Sequence, residues 1–207
     1  MLEYRTFGAN TYLLQTEGGP LLVDSGLAGT REKVLQWARE ARVGAVLLTH
    51  HHPDHAGGAR FLWELLGLPI YAHALDVPYL TGETPRPPLP IPVIGRLLNF
   101  PVPPVPRAAL QTLNEGDVFM GWRVVHLPGH TPGQIGLWRD GVLVAADAIA
   151  SRRGQAVMGP PFFTADMAQA RRTVRKIADL GPREVYVGHG PVTTGESVRA
   201  LADRLGV

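Results

Sequence analysis

The chain has 207 residues, 45% of them hydrophobic and 18% charged, so it is long enough and apolar enough to fold around a sizeable core. Its formal net charge of +2 is too small to require nucleic acid or a membrane surface as a partner. Cysteine is absent, which excludes disulfide bonds, thiolate metal ligands and a cysteine nucleophile.

The first half of the sequence predicts strands that alternate with helices. Alternating apolar and polar residues indicate the strands. A helix is indicated by apolar residues at helical spacing after Thr30, because threonine is favoured at the N-cap position. In chain order the expected elements are strands over 2–7, 11–16 and 21–24, the helix capped by Thr30, a buried strand over 45–49, a helix from about Gly57 to Gly67, and a strand over 69–72.

A proline-rich insertion at about 78–107 interrupts this pattern. It holds ten of the 19 prolines, and because proline breaks both helix and sheet, we expect mostly extended loop there. The segment is nevertheless apolar, and a long loop in a compact domain is usually functional. Two alternatives remain open: a lid over an active site, or a contact between two copies of the chain in a homodimer.

The second half of the sequence predicts a second run of strands followed by helices. A hairpin turn at Asp140-Gly141 separates two of the strands. The expected elements are strands over 118–127, 134–138, 142–146 and 184–187, a helix from about Thr164 to Leu180, and a last helix from Gly195. Strands and helices in this order predict a single α/β (α+β) domain over 1–207, with two mixed sheets and helices outside.

Residues 49–58, which read Thr-His-His-His-Pro-Asp-His-Ala-Gly-Gly, contain the most informative motif. Four side chains able to bind a metal, His50, His52, Asp54 and His55, follow the predicted strand over 45–49. Neutral imidazoles and carboxylates suit zinc, iron or manganese. The pattern therefore predicts a metal site built on this loop.

Three further candidate ligands, His130, Asp147 and His189, each follow a predicted strand later in the chain. Seven ligands are too many for one tetrahedral ion, but they suit two ions that share a bridging carboxylate. Residues two apart in extended backbone point the same way, so His50 and His52 can bind one ion. The expected sets are His50, His52 and His130 on one ion, Asp54, His55 and His189 on the other, and Asp147 bridging both.

Such a pair of ions, most simply zinc, with iron or manganese as alternatives, would hold a shared water as hydroxide at neutral pH. The expected reaction is hydrolysis, in which this bridging hydroxide attacks a carbonyl or phosphoryl centre. Asp54, next to the hydroxide, is the expected catalytic residue because it can also transfer a proton.

The motifs together resemble the metallo-β-lactamase superfamily. They are Leu-Val-Asp-Ser-Gly at 22–26, the histidine motif at 49–55, Pro-Gly-His-Thr-Pro-Gly at 128–133, Asp147, and Gly-His-Gly at 188–190. The resemblance implies a four-layer αββα sandwich with the metals at one edge of the sheets. It also implies that Asp24 does not bind a metal itself but orients the ligands of the histidine loop.

Within that family the ligand set is most similar to glyoxalase II and the lactonases, which implies cleavage of an ester, thioester or lactone bond in a small molecule. The β-lactamases have cysteine, or no carboxylate, where this chain has Asp147, which disfavours antibiotic hydrolysis. Two alternatives stay open: a phosphodiesterase or nuclease using the same two metals, and an oxidoreductase similar to the single-iron persulfide dioxygenases. Basic stripes for nucleic acid are lacking.

The remaining histidines and one tyrosine receive weaker assignments. His73, near the insertion, and Tyr186, the one tyrosine after the bridging Asp147, are candidate substrate-pocket residues. His51 is expected to face solvent or a backbone carbonyl, and His126 to be a satisfied core histidine inside a strand. With neither a signal peptide nor a long apolar segment in the sequence, a cytoplasmic enzyme with a small-molecule substrate is expected.

Overall fold

The computed structural model describes residues 2–85 and 102–207, and the chain divides into two compact units, Met1–Leu113 and Asn114–Val207. The prediction of a single domain over 1–207 stays a prediction. The larger part of the proline-rich insertion lies outside the described residues, so its two alternatives, lid and dimer contact, also stay predictions.

The described part of the first unit contains a mixed six-stranded sheet in the order β1-β2-β3-β4-β5-β6. Strands β1 to β3 are antiparallel, and β3 to β6 are parallel to one another. Their bounds are β1 Leu2–Phe7, β2 Ala9–Thr16, β3 Gly19–Val23, β4 Ala45–Leu47, β5 Ile70–His73 and β6 Leu110–Leu113.

Helices cover this sheet through their apolar faces. Val34 and Trp37 of one helix and Leu62 of another share a buried cluster with Val46 and Ile70 of the strands. Burial of these side chains, about 1.5–3 kcal/mol each, holds the helices on the sheet. The helices are α1 Arg31–Glu40, α2 Pro53–Ala56, α3 Ala59–Leu66 and α4 Val77–Thr81, with 3₁₀ turns at Ala28–Thr30 and Arg107–Ala109.

Residues 114–207 form a second mixed sheet, in the order β14-β13-β10-β9-β8-β7, and a separate β11-β12 hairpin. All neighbours in the larger sheet are antiparallel except β10 and β13, which are parallel. The strands are β7 Val118–Phe119, β8 Trp122–His126, β9 Ile135–Arg139, β10 Val142–Ala146, β11 Ala150–Arg152, β12 Gln155–Val157, β13 Glu184–Val187 and β14 Thr193–Thr194.

The helices of the second unit are α5 Met167–Leu180 and α6 Gly195–Leu205, preceded by a 3₁₀ turn at Pro161–Phe163. Asp166 caps α5 by accepting a hydrogen bond from the backbone N–H of Gln169 (2.8 Å). Ile177 and Leu201 bury their side chains against Val185 of the sheet. The prediction of two mixed sheets with associated helices is confirmed for the described residues.

Two details at the histidine loop and at the start of α1 differ from the sequence-based expectation, although the expected helices themselves are present. The helix expected from about Gly57 is α3, which begins at Ala59. It is preceded by a separate short helix that was not expected, α2, which begins at Pro53 because proline fits the first helical position. Thr30 precedes α1, but its side chain does not cap the helix. Its hydroxyl donates instead to the carbonyl oxygen of Leu27 (2.8 Å).

Three other expectations also need correction. The strand expected over 118–127 is a hairpin, because Met120 and Gly121 have positive φ values of 50° and 83° and turn the chain. The helix expected from Thr164 begins at Met167 after the Asp166 cap. The insertion starts with α4 rather than with loop, since proline is tolerated in a first turn.

Among the described residues, no helix has both the length and the apolar character needed to cross a membrane.

Candidate metal centre

Three neighbouring strand ends of the first unit contain the histidine loop and its buried acids. Strands β3, β4 and β5 are parallel and in register, so their carboxyl ends meet at one edge of the sheet. Asp24 follows β3, the loop from Leu48 to His52 follows β4, and Asp76 follows β5. Ligands in open α/β sheets bind at this edge, because the loops there converge.

The early histidines lie side by side on that edge. The ring centroids of His50 and His52 are 4.8 Å apart, and those of His50 and His55 are 4.1 Å apart. Helix α2 turns the chain back, with the His55 backbone N–H donating to the His52 carbonyl (3.0 Å), and so places His55 beside His50, with Oδ2 of Asp54 3.8 Å from Nε2 of His55. His50 and His55 are fully buried, and Asp54 is partly exposed.

Asp24 fixes two of these rings. Its Oδ2 lies 2.7 Å from Nδ1 of His55, and its two oxygens accept from the Thr49 hydroxyl and backbone N–H at 2.8–3.0 Å. The Thr49 hydroxyl, donating to Asp24, then accepts from Nδ1 of His50 (3.0 Å). Both histidines therefore carry their proton on Nδ1 and present Nε2 for coordination, which is how orienting carboxylates act on metal ligands.

The neighbour of Asp24, Ser25, was not singled out from the sequence although it also holds α2. Its backbone N–H and its hydroxyl both donate to the His55 carbonyl (2.6 and 2.8 Å), and its Oγ accepts from the Gly58 N–H (3.2 Å). The only sequence signal was its place in the Leu-Val-Asp-Ser-Gly motif.

In the second unit, one oxygen of Asp147 lies against two histidines. Its Oδ2 is 3.3 Å from Nε2 of His130 and 3.4 Å from Nε2 of His189. His130 and Asp147 are buried or nearly so, whereas the His189 side chain is 45% exposed. The three residues follow β8, β10 and β13, whose carboxyl ends lie at one edge of the sheet because β10 runs parallel to both.

Backbone features direct these three side chains. A register shift between Val144 and Ala146, where Ala146 has φ 45°, turns Asp147 out of the strand. Gly190 follows His189 at φ 99°, and a Cβ there would lie 1.8 Å from the Ser151 carbonyl oxygen. Only glycine fits this close approach between the two segments. The same segments are also joined by a hydrogen bond from the Ser151 N–H to the His189 carbonyl (2.9 Å).

The donor atoms of each unit fit divalent metal ions. Two ligands of a tetrahedral zinc ion, with bonds of about 2.0–2.1 Å, lie about 3.3 Å apart. The two Asp147 distances of 3.3 and 3.4 Å match that separation, and one oxygen facing two imidazoles is what a bridging carboxylate requires. In the first unit, the contacts of Asp24 and Thr49 with Nδ1 of His55 and His50 leave the Nε2 atom of each ring as the one suited to bind a metal.

The expectation for His51 was wrong. His51 is 2% exposed rather than facing solvent, and its Nδ1 lies 2.9 Å from the buried carboxylate of Asp76. Twenty-five positions separate the two residues, so no local pattern in the sequence indicated the contact. His126 ends β8 with Nε2 2.8 Å from the Pro132 carbonyl oxygen, so the ring has a hydrogen-bond partner as expected, but the residue is half-buried rather than in the core.

The two candidate pocket residues occupy different positions. His73 is buried at the carboxyl end of β5, and its Nδ1 accepts a hydrogen bond from the Leu75 N–H (3.3 Å). The Tyr186 hydroxyl donates to Glu184 (3.1 Å), the first residue of β13, whereas His189 follows the last residue of that strand. Their roles in a substrate pocket stay predictions.

Comparison with known proteins identifies the family. The family model described as Metallo-beta-lactamase superfamily matches residues 4–189. A Bacillus subtilis protein named "Probable metallo-hydrolase YflN" is 33% identical over 95% of this chain and 88% of its own length. A hydroxyacylglutathione hydrolase of Methylobacillus flagellatus is 27% identical over 86% of this chain, which spans only 60% of that enzyme.

A crystal structure of a protein in a di-iron-bound form matches 93% of this chain and 93% of its own, with 33% identity and a TM-score of 0.74. The fold expected from the resemblance is thereby confirmed. The chain belongs to the metallo-β-lactamase superfamily and is a hydrolase of that superfamily.

Proposed function

We propose that the chain is a binuclear metal-dependent hydrolase that cleaves an ester, thioester or lactone bond of a small molecule. The donor sets and the di-iron-bound relative support two divalent ions per chain. The observation that carries the proposal is the single Asp147 oxygen that faces both His130 and His189. The family model spans all seven predicted ligands.

Each ion would be held by three residues of its own and by one further residue that it shares with the other ion. The first set is His50, His52 and His130, the second is Asp54, His55 and His189, and Asp147 is the shared ligand. We propose zinc in both positions, since nitrogen and carboxylate donors suit it, with iron or manganese as the alternatives that the same donors accept. When bound, such ions supply an activated water and polarise the substrate oxygen.

The chain's own residues supply orientation and proton transfer. Asp24 fixes the protonation of His50 and His55, as the hydrogen bonds above require. The Asp54 side chain, 29% exposed and with Oδ2 3.8 Å from Nε2 of His55, accepts a proton from the attacking water and returns it to the leaving alcohol or thiol.

The relatives support an acyl bond as the target. The Methylobacillus flagellatus relative is named for hydrolysis of an acylated glutathione, which is a thioester. Because the chain spans 60% of that enzyme, we transfer the type of bond and not the glutathione substrate. A thioester is therefore the first substrate class to test, followed by esters and lactones.

The test combines metal analysis with a substrate panel. Protein reconstituted with zinc, manganese or iron is assayed on chromogenic esters, thioesters, lactones and bis-phosphodiesters. We expect two ions per chain and turnover of acyl substrates. Asp147→Ala should abolish turnover and lower the metal content, while His126→Gln, which changes a histidine outside the ligand set, should retain both.

Other outcomes would replace the proposal. Two ions with turnover of phosphodiesters alone would favour the nuclease alternative. One iron per chain with oxygen consumption on a persulfide would favour the dioxygenase. Full activity of Asp147→Ala, or wild-type protein that binds no metal, would refute a binuclear hydrolase.

A further inference from the structure

A second buried carboxylate, Asp76, contacts the histidine loop. Its Oδ2 accepts hydrogen bonds from the backbone N–H of His51 (2.9 Å) and from Nδ1–H of the His51 ring (2.9 Å). Asp76 is 0% exposed and His51 is 2% exposed. Since a buried charge is costly unless it is hydrogen-bonded, these two bonds hold the carboxylate and the loop in one fixed arrangement.

The position of Asp76 in the chain makes this contact notable. Asp76 directly precedes α4, where an aspartate usually caps its own helix. Here its backbone carbonyl accepts from the Leu80 N–H (3.1 Å) to begin the helix, but its side chain forms no capping bond. The carboxylate is used instead to bind a loop 25 positions earlier in the chain.

The His51 ring connects this carboxylate to a metal ligand. Tyr79, one turn into α4, stacks on the ring with centroids 4.3 Å apart and planes at 18°. The same ring packs edge-on against His52, with centroids 5.0 Å apart and planes at 77°. The His52 ring therefore contacts both the His51 ring and the His50 ring, whose centroid is 4.8 Å away.

We propose that Asp76 is a positioning residue that orients His52 through His51, in parallel with Asp24, which orients His50 and His55. The inference rests on the proposed metal site, but not on the bond that the enzyme cleaves. Because His52 belongs to one of the two proposed ligand sets, loss of Asp76 should weaken one ion selectively. A residue that only stabilised the fold would weaken both ions or neither.

The experiment measures the affinity of each ion by competition with a chromogenic chelator, using full-length protein loaded with zinc. Asp76→Ala is expected to lower the affinity for one ion by about 10- to 100-fold and to leave the other unchanged, because loss of an orienting partner typically costs that much. Asp76→Asn should restore most of the affinity, since its amide oxygen can accept both His51 hydrogen bonds. Cobalt-substituted protein should show an altered absorption spectrum in the alanine variant alone.

Two further variants complete the test. Tyr79→Phe keeps the stacked ring and is the matched control, with both affinities expected at the wild-type level. If Asp76→Ala does not fold, His51→Phe keeps an aromatic ring beside His52 and removes the ring's hydrogen bond to Asp76, so it should weaken the same ion.

The outcomes separate this inference from the proposed function. Equal weakening of both ions, or no weakening in Asp76→Ala, would overturn the positioning role while leaving the hydrolase proposal intact. Failure of Asp76→Asn to restore affinity would overturn it as well. Wild-type protein that binds no zinc would overturn both proposals together.

Discussion

Replacement of Asp24 by asparagine should change which nitrogen of His55 carries the proton. Asp24 has a left-handed backbone (φ 67°), which asparagine tolerates, and the amide oxygen can still accept from the Thr49 N–H (2.8 Å). The amide NH₂ then faces Nδ1 of His55, 2.7 Å away in the wild type, and can only donate. The His55 proton must move to Nε2, the atom that would coordinate.

The size of the effect follows from the hydrogen bonds. Asp24→Ala would leave three buried donors unpaired at about 1–3 kcal/mol each, a large part of the about 5–15 kcal/mol that stabilises a domain. Asp24→Asn avoids most of this loss of folding stability, so the substitution should act mainly on the metal affinity. We expect metal affinity about 10- to 100-fold weaker, equivalent to about 1.4–2.7 kcal/mol.

The assay is chelator competition for metal affinity, together with thermal unfolding of the metal-free protein. Asp117→Asn is the matched control, because its carboxylate also accepts a backbone N–H (from Asn114, 2.7 Å) but lies on an exposed turn. The control should bind metal as the wild type does. If Asp24→Asn binds both ions with unchanged affinity, the assignment of protons to Nδ1 is wrong.

Three further predictions concern stability and pH. Gly190→Ala should destabilise the protein by about 1–3 kcal/mol because of the positive φ, and by more because the new Cβ would collide with the Ser151 carbonyl oxygen. Denaturant unfolding measures this loss, and an unfolding midpoint equal to that of the wild type would contradict the prediction. Ser25→Ala removes a buried hydroxyl that holds α2 and should cost about 1–3 kcal/mol in the same assay, with an unchanged midpoint counting against the role given to Ser25. Burial raises the pKa of the Glu115 carboxyl, but hydrogen bonds from Lys176 and a backbone N–H outweigh this and hold that pKa below its ordinary value of 4.5. Because the pKa of Glu115 is lower in the folded protein than in the unfolded chain, the ionised carboxylate stabilises the fold at pH values above the unfolded-state pKa. This stabilisation is lost as the pH falls through the folded-state pKa. The melting temperature of the wild type should therefore exceed that of Glu115→Gln at neutral pH, and the difference should shrink below pH 4.5; a difference independent of pH would contradict the reasoning.

Local sequence was enough to predict most of the strands and helices. Hydrophobic alternation and helical spacing depend on near neighbours, and so β1, β9, β10 and β13 lie within a residue or two of their expected bounds. The errors lie where a backbone conformation decides the outcome. Met120 turns the chain with a positive φ that methionine rarely adopts, and Pro53 begins a short additional helix, α2, that the sequence analysis did not predict.

The candidate ligands were also identified from the sequence alone, because the ability of histidine and aspartate to bind metals belongs to the side chain itself. Which of them are oriented, and by what, was decided by tertiary structure. Asp76 lies 25 positions from His51 and Asp24 lies 31 positions from His55. These contacts exist because parallel strands bring their carboxyl ends to one edge of a sheet, a relation between distant segments that no local pattern in the sequence encodes.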